Sequence, residues 1–255
     1  MRNVWIICRK ELGSYFASPI AYLLLTMFGI IFGYFFWTAL RFFVFRGMEM
    51  QMSGQMYPMN LNEWVIRPLL SNVGVIGLFM IPLITMRLFA EEKRTGTIEL
   101  LATSPVRDVE IIVGKWLAAL ILYSCLLLFT ALNFAFLFRY GRPDWKPLLV
   151  GYLGVLLQAG ALLAIGTFIS TLTRNQIIAG AATFGACLLL YVFGWVAGFD
   201  SSTWSRVLSY TSVAVHYESF GKGVIDSKDA IYYITVIFLG LFLTARSLES
   251  LRWRS

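Results

Sequence analysis

Charge is scarce in this chain. Only 14% of its 255 residues are Asp, Glu, Lys or Arg, against 58% hydrophobic residues and a mean hydropathy of +0.73. Soluble domains carry roughly 25% charged residues, and a chain of this length cannot hide so much apolar surface in a water-soluble core. Lipid is the solvent that fits. Histidine is nearly missing: His216 is the single example, no H-E-x-x-H metal motif occurs, and no G-x-S-x-G elbow is present. His216 reads as a polar residue at an interface rather than a ligand or base. The three cysteines, Cys8, Cys125 and Cys187, lack metal-ligand spacing and are too few for a disulfide framework. They read as small hydrophobic residues. Acidic residues are absent from the six long apolar windows given below. That excludes an intramembrane aspartyl dyad and argues against a proton relay at membrane depth. The phosphate-binding pattern G-x-x-x-x-G-K-S/T is also missing, since Gly114-Lys115 and Gly221-Lys222 lack the upstream glycine and the following hydroxyl. The start, MRNVWIICRKELGSYF, is not a signal peptide, because its short apolar stretch is broken by Arg9, Lys10 and Glu11.

What is present is a set of apolar windows at 20–39, 68–86, 116–138, 147–173, 175–199 and 230–245. A spanning helix needs about 20 apolar residues. The sixth window is short and gains length if Asp229 and Arg246 sit at the two interfaces with their charges turned outward. Only Arg174 separates the fourth window from the fifth, so 173–176 is a tight polar turn; one long helix would leave that charge in mid-bilayer. Polar groups inside the windows are limited to neutral ones such as Asn72, Asn133, Gln158 and scattered Ser, Thr and Tyr. Six spans put both termini on one side. With the N-terminus in the cytoplasm, twelve of the 21 Lys and Arg fall on the inner side, packed close to the span ends. The net charge of +7 is explained by this topology, and nucleic acid is not expected as a partner.

Four segments lie outside the windows. Residues 1–16 read as an amphipathic interfacial helix, with Val4, Trp5, Ile7, Cys8, Leu12 and Tyr15 sharing a broad face. Residues 41–67 read as a Met-rich outer loop, and 87–115 as a charged cytoplasmic loop. Residues 200–229 carry Trp204, Val207, Leu208, Val213, Val215, Tyr217 and Phe220, too many apolar groups for a solvated loop. This stretch is either a segment dipping into the membrane, with Gly221 and Gly223 permitting a reversal, or an aromatic-rich interfacial helix. In the fifth window, Ala181/Gly185 and Ala182/Ala186 are small-xxx-small pairs. They can pack within one chain, the commoner use, or across a dimer.

Within the cytoplasmic loop, Thr95 or Thr97 can cap a short helix ended by Pro105, with Glu99 near its N-terminus. Ile98, Leu101 and Ala102 then share one face. Such a helix either docks into a protein socket or lies on lipid headgroups. The stretch EEKRTGTIELLATSPVRDVEIIVGKWLAA resembles the signature of ABC-2 type transporter permeases: a Glu-rich segment, a Thr-Ile-Glu-Leu-Leu run, a Ser-Pro pair, then Gly-Lys before the third span. The N-terminal Arg-Lys-Glu-Leu is similar too. The segment SYTSVAVHYESFGKGVIDSKDAIYYI resembles the gliding-motility and nitrous-oxide-cluster subgroup.

The resemblance implies an all-α integral membrane fold with six transmembrane helices, an N-terminal interfacial helix, and a re-entrant outer segment at 202–224 between helices 5 and 6. It implies one permease domain over 1–255, placed in the bacterial inner membrane with both termini cytoplasmic. It makes 96–103 a coupling helix, so that Glu91, Glu92, Thr95, Gly96, Thr97, Ile98, Glu99, Leu100, Leu101, Ala102 and Pro105 become coupling residues. His216, Glu218, Phe220 and Gly223 become an outer gate. Implied partners are ABC ATPase subunits, a second permease copy or paralogue, membrane lipids and, in some members, an auxiliary membrane protein with an extracytoplasmic domain. ATP and magnesium belong to the ATPase, with no cofactor on this chain and no catalytic residue. The expected role is a permease, most members being exporters. A membrane anchor or force-transmitting scaffold, and an ion-coupled transporter, are the readings from other classes.

Overall fold

A computed structural model describes residues 2–53, 59–97, 106–197 and 203–252. Helix α1 (Arg2–Ala17) is followed by α2 (Pro19–Ser53). A π-helical turn (Asn62–Ile66) runs straight into α3 (Arg67–Thr85). Then come α4 (Ala90–Thr95), α5 (Asp108–Tyr140), α6 (Trp145–Ser170), α7 (Gln176–Ala197), α8 (Thr203–Thr211), α9 (Val213–Gly221) and α10 (Ser227–Arg252). Six stretches are long and apolar enough to cross a membrane: α2, the π-turn with α3 and α4, α5, α6, α7 and α10. The chain is a multi-pass membrane protein.

The spans fall where the apolar windows put them, but several ends move. α2 does not stop near residue 40. It runs to Ser53 as a 35-residue helix, about 52 Å long at ~1.5 Å per residue, well over the ~30 Å hydrocarbon core. The charges at 41–49 that suggested a loop are spaced to suit a helix surface. Arg46 pairs with Glu49 at 3.0 Å, and Arg41 and Arg46 lie over the rings of Phe45 and Phe42. The turn between α6 and α7 is as tight as expected. Asn175 starts α7, its side-chain oxygen accepting the Ile177 N–H at 2.9 Å.

α3 and α6 form the centre. In their most apolar windows 72% and 61% of residues are buried, against 17% in α10. α6 packs against α3, α5, α7, α9 and α10, and α1 lies along α5. One glycine shows how tight this centre is. A Cβ on Gly154 of α6 would stand 2.4 Å from Phe220 Cβ of α9, so only hydrogen fits there.

Two expectations fail on exposure. Ala181 and Ala182 are exposed, and a Cβ on Gly185 would meet nothing within 4 Å. The small-residue pairs of α7 are therefore not used inside the chain. On α1, Cys8 and Tyr15 are buried, but Trp5 is 61% exposed and turns away with Ile6. The broad face is narrower than composition suggested, because α5 covers only one side of α1. The three cysteines are free thiols.

Replacing Gly154 with Ala should force α9 off α6 and destabilise the protein by about 1–3 kcal/mol, seen as a lower melting midpoint in detergent. Gly185→Ala should be neutral or slightly stabilising, because nothing crowds it and alanine favours helix. Equal effects at both positions would contradict this packing.

Candidate functional site

The end of the bundle where α1 lies and α10 finishes, here the near end, is organised by one buried cation. Lys115 is 2% exposed. Its ammonium donates to Glu11 Oε1 of α1 at 2.9 Å, to Glu92 Oε1 of α4 at 2.8 Å and to the Leu88 carbonyl at 2.8 Å. It also sits 5.1 Å from the centre of the Phe89 ring. Next to it, a Cβ on Gly114 would come within 3.0 Å of the Val4 carbonyl and 2.9 Å of Ile7 Cγ2. The Gly-Lys pair thus does two jobs: glycine admits α1 against α5, and lysine ties α1 and α4 to it. Glu92 Oε2 is buried with no partner among the described residues, so two carboxylates face a single ammonium.

Further contacts surround this node. Tyr15 donates to the Ile84 carbonyl at 2.8 Å, and burial holds its phenol neutral by raising its pKa. Arg87 grips Glu91 with a fork, Nε to Oε2 at 2.8 Å and Nη2 to Oε1 at 3.2 Å, and reaches Ser18 Oγ at 3.3 Å. Asn3 donates to Glu110 at 3.1 Å. Helix α4 is capped from outside its own stretch of chain. Ser170 Oγ, at the end of α6, accepts the Phe89 and Ala90 N–H groups at 3.1 Å each, satisfying donors that a helix start leaves free. Lys93 donates to the Thr171 carbonyl.

α4 ends at Gly96, which has φ +73°, the left-handed stop glycine supplies. The described contacts of Thr95 belong to the end of α4. Its hydroxyl donates back to the Glu91 carbonyl at 3.0 Å and shares a 2.9 Å hydrogen bond with Thr97. Glu91, Glu92, Thr95, Gly96 and Thr97 thus lie together at the near end. Ile98, Glu99, Leu100, Leu101, Ala102 and Pro105 lie outside the described residues.

At the far end, α8 and α9 break at Ser212, and three donors close the break. His216 Nε2 faces the Tyr210 carbonyl at 2.9 Å, Tyr232 donates to the Thr211 carbonyl at 2.6 Å and Tyr233 to the Val213 carbonyl at 2.7 Å. A carbonyl only accepts, so Nε2 carries a proton, and the hydrogen bond on the other ring nitrogen takes a second, held by whichever of its two atoms donates. His216 Nδ1 meets Asp229 Oδ1 at 2.8 Å, and its ring stacks on Tyr232 at 3.8 Å. Asp229 is 2% exposed. The expected outward turn of this carboxylate is corrected: it points in, because His216 supplies a buried partner. Phe220 is buried against α6, Glu218 is exposed, and Gly223 turns the chain with φ +78°. Among the described residues no three His, Cys, Asp or Glu come together as metal ligands.

The model of the family described as ABC-2 family transporter protein matches residues 5–243. The chain belongs to that family. No curated protein matches it.

As an ABC-2 transporter protein the chain is a membrane transport subunit, and the family implies ABC ATPase partners. Lys115, Glu11, Arg87 and Ser170 meet at the near end, and sequence patterns did not single them out for these contacts. Gly114-Lys115 was visible as a motif, but its partners were not. Nothing local marks Glu11 or Ser170, whose contacts span 104 and 81 residues.

Lys115→Met should strand two carboxylates and destabilise the near end by about 3 kcal/mol or more, with faster amide exchange along α1. Unchanged exchange there would refute the node. At the far end, Asp229→Ala should cost about 2 kcal/mol, while Asp229→Asn, whose amide can donate to His216 Nδ1, should cost well under half of that. A silent Asp229→Ala in thermal melting would show the pair to be dispensable.

Proposed function

We propose that this chain is the permease of an exporter driven by ATP hydrolysis on separate ABC ATPase chains, with the near end cytoplasmic and the segment around 96–103 as the docking helix. The observation that carries the reading is the Lys115 node. A push or pull on α4 is passed through Glu92 and Lys115 to α5, through Glu11 to α1, and through Ser170 and Lys93 to the end of α6. α6 lies at the centre of the bundle and bears on α9 at the far end through Gly154 and Phe220. Motion delivered at one surface therefore has a packed path to the other.

In this reading α1 is the interfacial helix, with Trp5 and Ile6 toward lipid. α8 and α9 are the re-entrant outer plug that His216, Phe220 and Gly223 hold in place. The exposed small-residue face of α7 suits a second permease copy. The membrane is the bacterial inner membrane. ATP and magnesium stay on the ATPase, which supplies the chemistry; this chain transmits and gates.

A detergent pull-down comparing wild type with Ile98→Asp plus Leu101→Asp tests the reading. An ABC ATPase should co-purify with the wild type and fall at least about tenfold with the variant, because two buried charges in a docking face cost several kcal/mol. If no ATPase accompanies either protein, the chain is a scaffold and the docking helix is a surface helix.

A further inference from the structure

A cavity of about 310 Å³ lies in the far half of the bundle between α3, α6, α7 and α9. Its wall is not apolar core. Gln158, at the midpoint of α6, lines it and is 3% exposed. The amide packs against Gly74 of α3, where a Cβ would meet its Oε1 at 3.2 Å, and no described residue hydrogen-bonds it. Tyr217, on α9, is 6% exposed and its hydroxyl has no partner among the described residues. Buried polar groups left this way are rare in native proteins and call for an occupant. Arg67, the first residue of α3, adds a guanidinium with no carboxylate paired to it among the described residues.

The wall is rich in donors: the Arg67 guanidinium, the Gln158 amide, the Tyr217 hydroxyl and the Trp195 indole N–H. Glu218, exposed at the rim, is the one purely accepting side chain on it. A donor-lined cavity with an unpaired guanidinium selects an acceptor-rich anion, and the planar fork of arginine matches phosphate. Tyr191 and Trp195 offer flat apolar faces beside it, and the volume is at the small end of ligand cavities.

We infer that this cavity binds a phosphate-bearing molecule. The phosphate oxygens meet Arg67, the polar remainder reaches Tyr217 and Gln158, and the body lies along Tyr191 and Trp195. A lipid headgroup and a free phosphate ester share this chemistry. The role of the ligand as cargo rests on the transporter reading, but binding needs no ATPase, so the two can fail separately.

The test uses the full chain purified in detergent without ATPase and titrated by calorimetry. One arm uses glycerol 3-phosphate, the other dihexanoyl phosphatidylglycerol, with dihexanoyl glycerol as the phosphate-free control. At least one phosphate probe should bind saturably. Arg67→Gln should weaken it about tenfold or more and Gln158→Leu severalfold, as lost charge-assisted and neutral hydrogen bonds do. Arg206→Gln, in the adjoining far-end cavity of about 620 Å³ and not on the wall of this one, should leave it unchanged. Binding of glycerol 3-phosphate identifies a free ester; binding of the lipid alone identifies a headgroup. Should Arg67→Gln fail to fold by circular dichroism, Gln158→Leu decides. The inference is overturned if neither phosphate probe binds, if binding survives both substitutions, or if the phosphate-free control binds as well.

Discussion

An ammonium has three N–H bonds, and inside a protein each must find an acceptor. Lys115 satisfies all three with groups from α1, α4 and the turn before α4, and places an aromatic ring alongside. A cation shut away from water holds its partners far more strictly than a surface pair does, because losing one leaves uncompensated charge. The rest of the near end follows from it. With α1 held on Gly114, Tyr15 reaches the Ile84 carbonyl and Asn3 reaches Glu110. With α4 held, its first N–H groups come to rest on Ser170.

The two ends of the bundle solve the same problem with different chemistry. At both, short helices leave backbone groups that lipid cannot satisfy. The near end uses charge: a shared lysine, an arginine fork and a lysine on a helix-end carbonyl. The far end uses two tyrosine hydroxyls and a histidine ring, all aimed at three carbonyls around Ser212. Between them α3 and α6 carry an apolar core broken at Gln158, whose amide faces the cavity behind Arg67.

The six spans were legible because an uncharged run of about 20 residues has few other uses, and the Asn175 turn was legible because a single arginine split one such run. What escaped was everything that depends on a distant partner. Asp229 reads as an interface charge until His216, thirteen residues earlier, is placed beside it. The reach of α2 was hidden because its charges resemble a loop until they are seen pairing one turn apart. The small residues of α7 promised a contact inside the chain, yet the centre was built on glycines of α6 instead. The Glu-Lys-Arg-Thr-Gly stretch was recognised as a motif, but Gly96 proved to end a helix there, since only its backbone angle separates a stop from a start.

The cap on α4 bears on how the protein is made. The carboxylates at 11 and 92 and the lysine at 115 leave the ribosome early, so their cluster can close once the start of α5 has emerged. The cap cannot. Ser170 and the Thr171 carbonyl follow about 80 residues after the groups they receive, beyond the whole of α5 and α6. Until those two spans have been inserted in order, α4 has a bare first turn. The start of α4 is thus completed last among the contacts around the lysine, after α5 and α6 are inserted but before α7 to α10 are made, and a nascent chain halted before α7 would hold that cap only by its final residues.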